Sequence, residues 1–145
     1  MILQLEDWSF DVDLEKTMSY SSQERVEHCN CAYCRNFYAG IDAKYPELRS
    51  FLLKFGIHVD APDRMSALDI SSEQIIYDPM YLIFGQILRV GTSTILYEGI
   101  EVEPMEAEDG MFYLQIYDLQ LPWLLDEPYE KGMSELSSQS ASPLQ

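Results

Sequence analysis

The chain has 145 residues, of which 47% are apolar and 18 are aromatic (10 Tyr, 6 Phe, 2 Trp). This size and composition are typical of one packed domain and exclude a chain that is disordered throughout. The 25 acidic residues outnumber the 9 lysines and arginines, for a formal net charge of −16. A field of that sign repels nucleic-acid phosphates and anionic lipid head groups, so we expect neither nucleic-acid nor membrane binding.

The segment up to about residue 28 is predicted to contain one strand and one short helix. Residues 8–14 alternate apolar and polar side chains, which is the period of a strand with one buried face. Residues 21–24 resemble a capping box, and the helix that they start is expected to end near residue 28.

Two further helices are predicted around and after the cysteine segment. Cys34, Phe37, Tyr38 and Ile41 follow the spacing of one helical face, which predicts a helix over residues 31–43 with Cys34 in the core. A proline and a glycine mark the start and the end of the next helix, over residues 46–55.

Beyond residue 56 the sequence predicts mainly strands. The run 80–90 is too apolar for a strand with one wet face, so we expect it to be central and covered on both faces. The predicted strands cover residues 67–71, 74–77, 80–90, 95–103 and 111–121, with an acidic hairpin loop at 106–110.

These elements predict an α+β fold: an antiparallel sheet of about five or six strands packed on two short helices. We expect residues 1–128 to form this single domain and residues 129–145, rich in serine, to form a flexible tail. The core is expected to contain the following side chains: Trp8, Phe10, Phe37, Leu48, Phe51, Leu52, Phe55, Phe84 and Leu114.

One segment has the residue types of a metal site: His28, Cys29, Cys31 and Cys34. Zinc prefers four soft or borderline ligands in a tetrahedron, commonly with a Cys-x-x-Cys pair at a turn that leads into a helix. The sequence therefore offers a candidate zinc site of up to four ligands, and no other cofactor is indicated.

Two other interpretations of the cysteines stay open. A thiol near a helix N-terminus has its thiolate favoured, which would suit redox chemistry. Alternatively, Cys34 is a small core residue while Cys29 and Cys31 are free loop thiols. The cluster is a poor disulfide framework and no secretory signal is visible at the N-terminus, so we expect a reducing, cytoplasmic location.

Four segments of the chain resemble a family of small bacterial proteins for which no activity is known: Cys29-Asn30-Cys31-Ala32-Tyr33-Cys34-Arg35-Asn36-Phe37, Tyr45-Pro46-Glu47-Leu48, Phe51-Leu52-Leu53-Lys54-Phe55-Gly56-Ile57 and Leu121-Pro122-Trp123. The resemblance extends over most of the chain, up to about Asp126. It implies a bacterial, cytoplasmic, single-domain protein with a Cys-x-Cys-x-x-Cys-x-Asn-Phe motif.

The acidic residues are concentrated in the strand-rich part, because residues 67–145 carry 14 acids and 2 bases. We expect six carboxylates to lie near one another on that part: Glu98, Glu101, Glu103, Glu106, Glu108 and Asp109. No catalytic motif is visible, so the prediction is a non-enzymatic interaction protein, such as an inhibitor or immunity-type protein that binds a basic partner. Acidity that serves only solubility is the alternative for these residues.

Overall fold

The computed structural model describes residues 1–26, 28–71 and 73–127. The tail predicted for residues 129–145 lies outside them. The described residues form three helices and eight strands: β1 (Ile2–Leu5), β2 (Trp8–Val12), α1 (Leu14–Val26), α2 (Ala32–Lys44), α3 (Pro46–Leu53), β3 (Arg64–Ser71), β4 (Gln74–Arg89), β5 (Ile95–Tyr97), β6 (Ile100–Glu106), β7 (Met111–Tyr117) and β8 (Leu119–Pro122).

All strand pairs are antiparallel and belong to one sheet, in the spatial order β1-β2-β4-β7-β6-β5. β3 and β8 pair with the first half of β4, so this one strand bonds to four others. The α+β class and the antiparallel sheet are confirmed, with eight strands instead of five or six, and each of the three segments predicted to be helical overlaps a helix.

The core lies between one face of the sheet and helices α2 and α3. At its centre the Phe10 ring is stacked on Phe112, with centroids 5.2 Å apart, and meets the Phe55 ring edge-on at 5.4 Å. Every side chain predicted for the core is buried except Phe84. Phe84 is half-buried because its side chain follows the outward phase of β4, where Tyr20 of α1 packs edge-on against it at 5.5 Å.

The first helix begins earlier than predicted. β2 ends at Val12, and the Asp13 carboxylate accepts a hydrogen bond from the backbone amide of Lys16 at 3.0 Å, which caps the first turn of α1. The predicted start near residue 21 is wrong because Ser21 points inward and its hydroxyl accepts the backbone amide of His58.

The division of the chain into strands also differs from the predictions, and β1 was not predicted. Residues 74–89 form one continuous strand, whereas the runs 95–103 and 111–121 are each divided into two strands. The divisions coincide with left-handed backbone at Glu98 (φ 51°), Gly99 (φ 82°) and Asp118 (φ 61°). Non-glycine residues adopt this conformation infrequently, so Glu98 and Asp118 gave no clear turn signal.

β4 is central in the sheet, as predicted, but except near Phe84, where α1 packs, it is covered on one face only. Its inward side chains, such as Tyr77, Tyr81 and Ile83, are buried, while its outward side chains are half-buried and Leu88 near its end is 51% exposed. The prediction that this strand is covered on both faces is therefore wrong for the described residues. None of the helices in these residues combines the length and apolar character needed to cross a bilayer.

Candidate metal centre

Three cysteine sulfurs converge at the N-terminus of α2. Cys29, Cys31 and Cys34 are free thiols, and their Sγ atoms all lie within 4.8 Å of one another. His28, the fourth predicted ligand, packs its ring against Tyr38 with centroids 4.3 Å apart, and its Nδ1 lies 3.2 Å from the Cys29 carbonyl oxygen. The structure thus brings together three of the four candidate ligands.

The start of the helix explains why the sulfurs converge. Cys31 is the N-cap of α2 and has extended backbone (φ −72°, ψ 164°), so its side chain turns back over the first turn of the helix. Its Sγ accepts a hydrogen bond from the Cys34 amide at 3.4 Å, where a serine or aspartate oxygen more often serves. The Cys31 amide in turn donates to the Cys29 Sγ at 3.4 Å.

These contacts shift the pKa values of Cys31 and Cys34 in opposite directions. The Cys34 thiol donates to Cys31, and this bond, with further donation from the Cys34 amide, lowers the pKa of Cys31 to about 5. The same thiol–thiol bond, with burial, raises the pKa of Cys34 well above its usual range. These contacts therefore favour the thiolate at Cys31 and the protonated thiol at Cys34.

Cys34 is half-buried and does not lie in the core, which corrects the prediction for its side chain. The buried face of α2 consists instead of Tyr33, Asn36, Phe37, Gly40 and Ile41. Asn36 takes a core position because its side-chain amide donates hydrogen bonds to the Tyr77 hydroxyl and the Pro122 carbonyl and accepts one from the Leu124 amide. The face is thus rotated toward Asn36, and Cys34 turns toward the other cysteines.

Two side chains of α2, Arg35 and Tyr38, hold the cysteine loop by contacts that the sequence did not predict. Arg35 Nε donates to the Asn30 carbonyl at 2.9 Å, and the Tyr38 hydroxyl donates to the Cys29 carbonyl at 3.2 Å. The Arg35 guanidinium also makes two hydrogen bonds to the Glu127 carboxylate, at 2.6 and 3.1 Å. The loop is therefore fixed from the helix, and the helix is fixed to the chain after β8.

The six carboxylates predicted as a partner surface fall into separate groups. Glu101 and Glu103 point outward from β6, beside Tyr117, whose hydroxyl donates to Glu103. Glu98 lies in the turn before β6, whereas Glu106 ends the strand and Glu108 and Asp109 follow it. The two ends of a seven-residue strand are roughly 20 Å apart, so these six side chains do not share one location.

Comparison with known proteins gives no match: no protein-family model matches the chain, and neither does any curated protein or solved structure. The resemblance of the cysteine motif to small bacterial proteins therefore stays a prediction.

Proposed function

We propose that the chain binds a zinc ion through Cys29, Cys31 and Cys34 and leaves the fourth coordination position open. The convergence of the three sulfurs within 4.8 Å carries this proposal. Tetrahedral zinc with Zn–S bonds of about 2.3 Å separates its sulfurs by about 3.8 Å, so each sulfur would move by less than about 1 Å to bind. A cluster already this close needs little rearrangement of the loop.

The surroundings of the cluster fit zinc thiolates. Amide donors already point at the sulfurs of Cys29 and Cys31, and such donors stabilise negative charge on a ligand. Since the hydrogen bonds to Cys31 lower its pKa and favour its thiolate, a metal has to displace fewer protons to bind. A reducing cytoplasm, which the sequence predicts, would keep the thiols free.

The open position distinguishes this site from a closed structural site. The chain has no fourth cysteine, and its second histidine, His58, lies 3.2 Å from the Ser22 hydroxyl through Nε2. Cys29 is exposed to solvent, so water or a group from another molecule can reach the fourth position. Three protein ligands with an exchangeable fourth are typical of zinc that acts on a bound molecule.

Zinc stoichiometry of the purified chain tests the proposal. After reduction, zinc loading and dialysis, elemental analysis should give about one zinc per chain, and Cys31→Ser and Cys34→Ser should each weaken binding at least about tenfold. His28→Ala is the matched control, because His28 packs on Tyr38 and should leave the stoichiometry unchanged. A wild-type chain that retains no zinc, or triple Ser substitution that retains it, contradicts the proposal.

Thiol–disulfide exchange is the second candidate, favoured by the opposite pKa shifts of Cys31 and Cys34. In that case the Cys31 thiolate would attack a disulfide substrate and Cys34 would then release the reduced product by forming a Cys31–Cys34 disulfide. Reduction of about one equivalent of a small disulfide such as oxidised glutathione by the reduced, metal-free chain, with formation of a Cys31–Cys34 disulfide and lost in Cys31→Ser, would favour this candidate over zinc binding.

A further inference from the structure

The sheet face that points away from α2 and α3 carries apolar side chains among polar ones. The apolar side chains lie on four neighbouring strands and form what we call the outer patch: Leu68, Ile76, Met80, Leu82, Met105 and Tyr113. Leu68 is 59% exposed and Met105 37%, while the others are half-buried. The solvated face of an antiparallel sheet is normally polar, so this number of apolar side chains indicates a covered surface.

The strand register arranges the outer patch in two apolar rows. Leu68 is directly opposite Ile76, and Leu82 is opposite Tyr113, which is itself opposite Met105. Directly opposed side chains in a sheet lie about 5 Å apart, so each row forms one contact surface. The two rows lie about 20 Å apart along β4, and between them are Asp78, opposite Ser66, and Met80, opposite Arg64 and Gln115.

Charged groups around the outer patch are mainly acidic. Asp78 lies between Ile76 and Met80 on β4, and Glu101 and Glu103 lie on the outward side of β6. Arg64, opposite Met80, is the basic side chain that the described strands place on this face beside the patch. Apolar rows with acidic side chains between and beside them are complementary to a segment that carries both apolar side chains and lysines or arginines.

The charge also decides between possible occupants. A second copy of this chain carries the same net charge of −16 and would be repelled. Residues 128–145 contain two glutamates and one lysine, so they offer no complementary charge either. We propose that the outer patch docks a segment of a partner protein in which apolar side chains are flanked by basic ones. This proposal stands independently of the zinc site.

Peptide binding to the full-length chain tests the proposal. The probe is a fluorescent peptide of about ten residues that alternates lysine with leucine or valine, since an extended peptide of that length spans roughly 33 Å. Two control peptides replace either every lysine by glutamate or every apolar residue by serine. We expect anisotropy to show binding of the first peptide and at least about tenfold weaker binding of both controls.

Matched variants locate the binding surface. Leu68→Ser and Met105→Ser should each weaken binding of the peptide severalfold. Leu53→Ser, at an exposed position of α3, should not change it. Joint substitution of Glu101 and Glu103 by Gln should also weaken it. The same change at Glu98 and Glu108 removes equal charge and should have little effect. Circular dichroism and amide chemical shifts confirm that each variant is folded.

Several results would overturn the proposal. Equal binding of the serine-containing basic peptide, or equal loss in the two pairs of charge variants, would show that acidity alone attracts the probe. A concentration-dependent dimer that Leu68→Ser dissociates would assign the patch to a second copy. Absence of binding by any peptide would show that no basic apolar segment docks there.

Discussion

Alkylation of Cys31 in the metal-free protein should reach its maximal rate constant at a lower pH than that of an ordinary thiol. Hydrogen bonds from the Cys34 thiol and amide lower the pKa of Cys31 to about 5. Only the thiolate reacts with iodoacetamide, so the rate should rise through about pH 5 and be constant above about pH 6.5. An unstructured cysteine peptide, with a pKa near 8.5, serves as the reference.

The size of the difference depends on two opposing effects. At about pH 6, about 90% of Cys31 and about 0.3% of the reference thiol are ionised, a ratio of roughly 300. The thiolate of lower pKa is the weaker nucleophile, and a Brønsted coefficient of 0.4–0.5 over about 3.5 pH units reduces its rate by roughly 25–55-fold. Cys31 should therefore react roughly 5–10-fold faster than the reference at pH 6, about equally near pH 7, and more slowly above pH 8.

Tandem mass spectrometry of the tryptic peptide 26–35 separates the three cysteines, and the rate constants are measured from about pH 4.5 to about 9. Two substitutions at one position provide the control. Cys34→Ala removes the donating side chain and should move the Cys31 profile to higher pH, whereas Cys34→Ser retains a donor and should move it less. A Cys31 rate that still increases above pH 8 in the wild-type chain would refute the reasoning.

Three substitutions test other parts of the fold by urea unfolding. Asn36→Ala removes the three hydrogen bonds of a buried side chain and should lower the free energy of unfolding by about 2–4 kcal/mol. A decrease below about 1 kcal/mol would contradict the anchoring role of Asn36. Gly85→Ala should lower the free energy of unfolding by more than about 3 kcal/mol, since φ is 152° and the new Cβ would lie 2.1 Å from the Asp11 carbonyl oxygen. Gly99→Ala, whose new Cβ would have open space around it, should lower it by only about 1–2 kcal/mol. Burial raises the pKa of Asp63 to about 6, so the folded state favours the protonated acid and loses that stabilisation as the pH rises through 6. The free energy of unfolding of Asp63→Asn, relative to that of the wild type, should thus increase by about 2–3 kcal/mol from about pH 4 to about pH 7.5. A difference that does not change with pH would contradict the raised pKa of Asp63.

The parts of the fold that local patterns control could be predicted from the sequence. Helix α3 has a proline at its first position and apolar side chains at helical spacing, and Leu48, Phe51 and Leu52 are buried as expected. The convergence of the cysteines is also local, because three thiols within six residues at a helix start are necessarily close. Even the hydrogen bond from the Cys34 amide to the Cys31 sulfur follows from the position of Cys31 at the N-cap.

The remaining features depend on contacts between distant residues. The rotation of α2 arises from Asn36, which bonds groups more than 40 residues away in sequence, and a hydrophobicity pattern assigns no burial to an asparagine. The ion pair of Arg35 with Glu127 joins residues 92 apart. Helix α1 buries Thr17 and Ser21 rather than an apolar stripe, so its pattern does not indicate a helix that packs.

The central position of β4 has a consequence for synthesis on the ribosome. One of its hydrogen-bonding edges pairs with β7 and β8, and β8 ends about 33 residues after Arg89. At translation rates of about 5–20 residues per second, that edge stays without its partners for roughly 2–7 seconds. During this interval a nascent chain displays a 16-residue, largely apolar strand that can pair with neighbouring chains. The time needed to translate residues 90–122 therefore determines how long this edge of β4 stays unpaired.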